Sequence, residues 1–265
     1  MFDPDEGVAP DGTIRTGADR RRVPAAFEPL LAAYVAGATR DSSDVSTYLY
    51  GSVATGRAQV GISDVDLFTV GLAPELAHDL SARLNTDFVG LSRGVTIGAA
   101  APEAFVGEGD EEYGNRVFMR HYCLHLSGSD STRGVRAFRA DARAARGFNG
   151  DIGRCLHQWR AALTGSESDE AVVLKSLGRR VARKTLFAAA SLVTSYDSTW
   201  TTDREIAAVR LAQLWPQQAE NLTAMYRWSE GSVMPTHQQL ASALEQGGTV
   251  DGVVRRFRDS IGLWG

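Results

Sequence analysis

The sequence predicts an α/β chain of the α+β kind, a mixed sheet with flanking helices followed by an all-helical C-terminal domain. Three observations carry that expectation. Segments rich in β-branched and aromatic residues all fall before residue 130. After it, Ala- and Arg-rich stretches follow one another at helical spacing. The charge divides at the same place: residues 1–130 hold 10 Lys and Arg against 19 Asp and Glu, a net −9, and residues 131–265 hold 18 against 13, a net +5. The expected organisation is a flexible tail over residues 1–22, rich in Asp, Gly and Pro, then domains at 23–130 and 131–265.

Taken in order, Phe27, Leu30, Leu31, Tyr34 and Val35 recur at helical spacing after Pro24 and predict a helix over 24–39. Val45 to Tyr50 is β-branched and aromatic, a strand that runs directly into Gly51-Ser52. Gly56, Gly61 and Ser63 mark a loop before a second strand over 65–70. A helix over 75–85, a strand at 94–99, a helix over 111–122 and a short strand at 123–126 complete the first domain. Helices are then expected at 133–147, 151–163, 168–195, 203–214, 216–228, 236–246 and 249–261. Thr202-Asp-Arg-Glu205 reads as a capping box for one of them.

Composition excludes several classes. With 265 residues, 43% hydrophobic, 23% charged and a net charge of −4, the chain does not read as disordered, fibrous or membrane-spanning. Two cysteines, Cys123 and Cys155, are too few for a disulfide framework, and a reducing cytoplasm is the default. The N-terminus lacks the apolar core of a signal peptide, so no membrane partner is expected.

The stretch that carries chemistry runs from Tyr50 to Leu67, YGSVATGRAQVGISDVDL. Alternate residues of a strand share a face, so Asp64 and Asp66 point together while Val65 and Leu67 point to the core. Two carboxylates so close repel, and a divalent cation is the usual reason for tolerating them. Gly51-Ser52, at the end of the neighbouring strand, lets backbone amides and a hydroxyl approach an anion. A phosphate cradle beside paired metal carboxylates suits metal-assisted nucleotidyl or phosphoryl transfer. A lone Asp-x-Asp is usually only an acidic turn; here it sits on a strand, eleven residues after Gly-Ser.

In these residues the chain resembles the polymerase-β-like nucleotidyltransferases, whose signature is a strand ending in Gly-Ser, then Asp-x-Asp on the next strand. With a helical domain following, it looks most like the aminoglycoside adenylyltransferases and related bacterial proteins. The resemblance implies a nucleotidyltransferase fold, with ATP as nucleotide donor, Mg²⁺ as cofactor and a hydroxyl on a small molecule as acceptor. It assigns Asp64 and Asp66 to the metal and to catalysis, and Gly51 and Ser52 to the nucleotide phosphates, with Ser63 assisting. It also implies basic residues from the helical domain on the outer phosphates, for which Arg183 and Lys184 are the candidates, in a run with Lys175, Arg179 and Arg180.

One part of the pattern is missing. The family places a third carboxylate on a later strand, but the face of 94–99 opposite Val95, Ile97 and Ala99 shows Gly94, Thr96 and Gly98. Thr96 holds the best-aligned position, and its hydroxyl is no general base near neutral pH. Substitutes in the sequence are Asp87, Glu108, Asp110, Glu111 and Glu112. The expected protein is an active but atypical enzyme, with a nucleotide-binding pseudoenzyme as the alternative. The acidic run 108–112 also suits a polycationic acceptor, against the plainer reading of a solvated loop. A further alternative, transfer to tRNA or protein, draws on Arg133, Arg136, Arg139, Arg143 and Arg146, a basic stripe if one helix carries them all. His121 and His125 invite a zinc reading, but packing is the better account, as it is for Trp200, Tyr226 and Trp228.

Overall fold

The computed structural model describes residues 5–40, 42, 44–165, 171–197 and 199–265. The chain forms two compact units, one of residues 15–138 and the other of residues 1–14 with 139–265. Near the N-terminus β1 (Gly7–Val8) and β2 (Ile14–Arg15) form a two-stranded ribbon.

The first unit is built on a four-stranded sheet. Its elements are α1 (Glu28–Ala38), β3 (Ser46–Tyr50), the four-residue α2 (Gly51–Ala54), β4 (Asp64–Val70), α3 (Pro74–Asp87), β5 (Gly94–Ala100), α4 (Asp110–Tyr122) and β6 (Leu124–Ser127). The strand order is β5-β4-β3-β6, with β3 antiparallel to β4 and β6, and β4 parallel to β5. This is the mixed sheet that the sequence predicts.

Side-chain alternation sorts the two faces. Leu49, Val65, Leu67 and Val95 are buried with Phe27, Leu30, Leu31 and Tyr34 of the α1 region and Leu80 and Leu84 of α3. On the other face Tyr48, Phe68 and Val70 pack with Phe118 and Met119 of α4 and with Phe105. Asp64 and Asp66 share the phase of Phe68, so they lie on this second face, beyond the aromatic cluster. At Gly98 a Cβ would sit 2.8 Å from the Phe68 ring, so that glycine makes room for an aromatic side chain.

β5 is an edge strand, and α3 secures it. Asn85 accepts from the Val95 N–H at 2.8 Å and donates to the Val95 carbonyl at 2.9 Å, while Ser81 donates to the same carbonyl at 2.7 Å. These bonds satisfy backbone groups that an edge leaves unpaired.

The second unit contains α5 (Ala142–Asn149), α6 (Ile152–Gly165), α7 (Ala171–Asp197), α8 (Arg204–Leu214), α9 (Ala219–Glu230), α10 (His237–Leu244) and α11 (Thr249–Ser260). α7 runs through its centre, burying Leu177, Val181, Leu186 and Leu192. Trp200 and Trp228 are buried core residues, as the sequence suggests.

Four local expectations are corrected. The helix expected over 133–147 begins only at Ala142, so Arg133, Arg136 and Arg139 lie off it and the single basic stripe does not exist. Asp130 accepts from the backbone N–H and hydroxyl of Thr132, Gly134 takes a φ of +78°, and Asp141 caps the later helix start through the Ala144 N–H. Residues 130–138 accordingly stay with the sheet: Tyr48 and Ser131 share a hydrogen bond of 2.9 Å, and the Phe138 N–H donates to His121 Nε2 at 2.8 Å. The division therefore falls at 138/139, not near 130.

Residues 5–22, expected as part of a loose tail, carry definite structure. Glu6 is buried in the helical unit, accepting from the hydroxyls of Thr201 and Thr202 at 3.1 and 2.8 Å. That bond also removes Thr202 from its expected capping role. Asp203 is the N-cap of α8, accepting from the N–H groups of Glu205 and Ile206, and the capping box of this unit lies at Thr236 and Gln239.

Candidate functional site

The site forms where β3 ends beside the start of β4. Gly51 adopts a φ of +74°, a left-handed conformation that turns the chain out of β3 into the short α2. Tyr50 is paired in register with Asp66. A Cβ added at Gly51 would collide with the Asp66 carboxylate, so glycine is required by conformation and by space alike. Gly-Ser and Asp-x-Asp, apart in sequence, therefore meet. The Ser52 carbonyl then accepts from the N–H groups of Arg57 and Ala58 at 2.9 and 3.1 Å, curling the loop that leads back to β4.

Asp64 and Asp66 occupy the first turnaround of β4, both half-buried. The charge of Asp66 reaches its neighbour: burial first, and this carboxylate second, push the Tyr50 phenol above its usual range. Ser63 is used within the loop, its hydroxyl accepting from the Gln59 N–H at 2.9 Å and its carbonyl from the Arg93 N–H at 3.0 Å.

The register of β5 places Gly94 beside Asp64 and Thr96 beside Asp66. Thr96 is exposed and stands level with Asp66 on the same face, the position the sequence assigned it. Among the described residues no group of three or more His, Cys, Asp and Glu side chains is placed to hold a metal ion. None of the substitute carboxylates thus completes a triad with Asp64 and Asp66. Asp110, Glu111 and Glu112 instead form the first turn of α4, where negative charge complements the helix dipole.

Sequence reasoning missed Arg93. Its Nε donates to Asp64 Oδ1 at 2.9 Å, and its Nη2 pairs with Oδ2, a forked ion pair at the edge of the site. The available signal was position: Arg93 immediately precedes the strand that runs parallel to the Asp-x-Asp strand.

The basic candidates belong to the helical unit. Lys184 forms an ion pair with Asp151 at 2.6 Å and donates to the Phe148 carbonyl at 3.0 Å. Arg183 and Arg179 donate to the Ser229 carbonyl at 3.3 and 3.4 Å. His121 accepts from backbone through Nε2, and the His125 ring packs edge-on against Tyr48, so both have structural partners.

A solved structure shares this fold. It is a spectinomycin adenyltransferase from Enterococcus faecialis, crystallised with ATP and spectinomycin. The match has a TM-score of 0.50 and 12% sequence identity and covers 86% of this chain and 98% of that one. At that identity the likeness is one of fold. No model of a protein family matches the sequence, and no curated protein matches it.

The donor set bears on the metal that the resemblance implies. Mg²⁺ is commonly held by one or two carboxylates together with substrate phosphates and water. Asp64 and Asp66, on one face and beside a turn too close for any Cβ, fit that requirement. They do not provide a cage made of protein ligands alone.

Proposed function

We propose that the chain is a Mg²⁺-dependent nucleotidyltransferase that moves AMP from ATP to a hydroxyl of a small, aminoglycoside-like acceptor. The observation that carries this reading is the meeting of Gly51 with Asp66, which joins an anion-accepting turn to a pair of metal-binding carboxylates. The likeness in fold to a spectinomycin adenyltransferase supports it.

In this reading Asp64 and Asp66 hold the metal, and Gly51 and Ser52 hold the nucleotide phosphates, with Ser63 shaping the loop behind them. Mg²⁺ held by Asp64 and Asp66 would supply electrostatic stabilisation of negative charge on the phosphate oxygens. Arg183 and Lys184 are the candidates for the outer phosphates. Thr96 accepts no proton, so the acceptor hydroxyl is activated without a carboxylate from β5. General-base assistance is typically worth about 10²–10⁴-fold, and turnover is expected to be slower by up to that amount.

Thr96 and the lack of a third carboxylate among the described residues favour one second reading, a nucleotide-binding protein with little chemistry of its own. The reading with a nucleic-acid acceptor loses its support with the basic stripe. Incubation with Mg²⁺ and labelled ATP, CTP, GTP and UTP against aminoglycosides, tRNA and protein separates the readings. Labelled aminoglycoside from wild type and none from Asp64→Ala/Asp66→Ala is the expected result. ATP binding with transfer no greater than that of the double variant would leave the pseudoenzyme.

A further inference from the structure

We infer, on the nucleotidyltransferase reading above, that the site takes a single divalent cation and that the Arg93 guanidinium supplies the second positive charge. Arg93 forks onto Asp64, with Nε on Oδ1 at 2.9 Å and Nη2 on Oδ2. The fork orients the Asp64 carboxylate and sets a fixed positive charge beside it. Among the described residues a second cation finds no further carboxylate. The position level with Asp66 on β5 is Thr96, a neutral hydroxyl, and among the described residues no three His, Cys, Asp and Glu side chains gather to hold a metal.

The charges balance. Compared with a site of three carboxylates and two divalent cations, Thr96 removes one negative charge, the omitted cation removes two positive charges, and Arg93 restores one. The net charge facing a triphosphate is the same. The guanidinium also suits the place, because it keeps its charge at any physiological pH and its planar fork matches carboxylate and phosphate oxygens. Arg93 is a positioning residue in this scheme: it orients Asp64 and occupies the region a second ion would claim.

The test is a Mn²⁺ titration of the full chain without nucleotide, followed by electron paramagnetic resonance of the free ion. Wild type is expected to bind one Mn²⁺ per chain. Arg93→Gln, which removes a positive charge beside Asp64, is expected to bind it about tenfold more tightly. Arg93→Lys keeps the charge and is expected to stay within about twofold of wild type. Arg93→Gln/Thr96→Asp is expected to gain a second ion. The Arg93 side chain is largely exposed, so thermal unfolding close to wild type is expected for each variant.

Two ions on wild type, unchanged or weaker binding by Arg93→Gln, or one ion on the double variant would overturn the inference and leave nucleotidyl transfer standing. Absence of Mn²⁺ binding to wild type without nucleotide would overturn the inference and leave nucleotidyl transfer standing, because that reading has Mg²⁺ held by the carboxylates together with substrate phosphates. If Arg93→Gln does not fold, Arg93→Lys decides alone, since binding tightened beyond that range excludes the role given to its charge.

Discussion

Glu6 brings a carboxylate into the helical unit, where burial raises its pKa and the bonds from Thr202 and Thr201 only partly offset the effect. A carboxyl raised in this way favours the folded state most when protonated. Its contribution is fully present below the unfolded value and is lost as pH rises through the raised, folded value. Wild type is therefore expected to lose stability over the interval above about pH 4.5, and Glu6→Gln to lose less. Urea unfolding of both proteins across that interval checks this; parallel profiles would show that Glu6 does not titrate there.

At the same scale, the legible residues were those fixed by a short period. Asp64 and Asp66 follow from strand alternation, and Thr96 follows from the apolar phase of Val95 and Ile97. Arg93 was not legible in this way. A long side chain just outside a strand is constrained by no period, and its partner Asp64 lies 29 positions away. Thr202 failed for a related reason, because the group that captured it, Glu6, is 196 positions distant.

Among the elements, β5 is the most informative. It is an edge strand that must hold register with β4, because a one-residue slip would move Thr96 from the face of Asp66 to the opposite one. Asn85 secures that register by bonding both backbone groups of Val95. Asn85→Ala is expected to cost about 1–3 kcal/mol in unfolding free energy, the usual result of leaving such groups unpaired. It is also expected to raise amide exchange at Val95 ahead of β3. Uniform exchange across the sheet would show that the strand is held by β4 alone.

Sequence patterns located every strand of the sheet and most helices, since each has a continuous apolar phase. They overextended the helix before Ala142. Alanine and arginine favour a helix there, but Gly134 and the Asp130–Thr132 turn stop it, and such turn chemistry outweighs weak propensity.

For the whole molecule, the acidic and basic halves of the sequence do not coincide with the two units, since residues 15–138 carry a net −3 and residues 1–14 with 139–265 a net −1. Within the acidic part, Asp64 and Asp66 are the charges with a proposed chemical use. Arg93 partly offsets them, and no carboxylate on β5 adds to them. The proposed reaction cleaves ATP between its α- and β-phosphates and leaves the nucleotide on the acceptor. Parallel reactions with α-labelled and γ-labelled ATP, in Mg²⁺ and an aminoglycoside panel, test it most directly. The α-label is expected to enter the acceptor, the γ-label to leave as pyrophosphate, and Asp66→Asn to abolish both. Transfer of the γ-label to the acceptor, or equal transfer of α-label by Asp66→Asn, would contradict it.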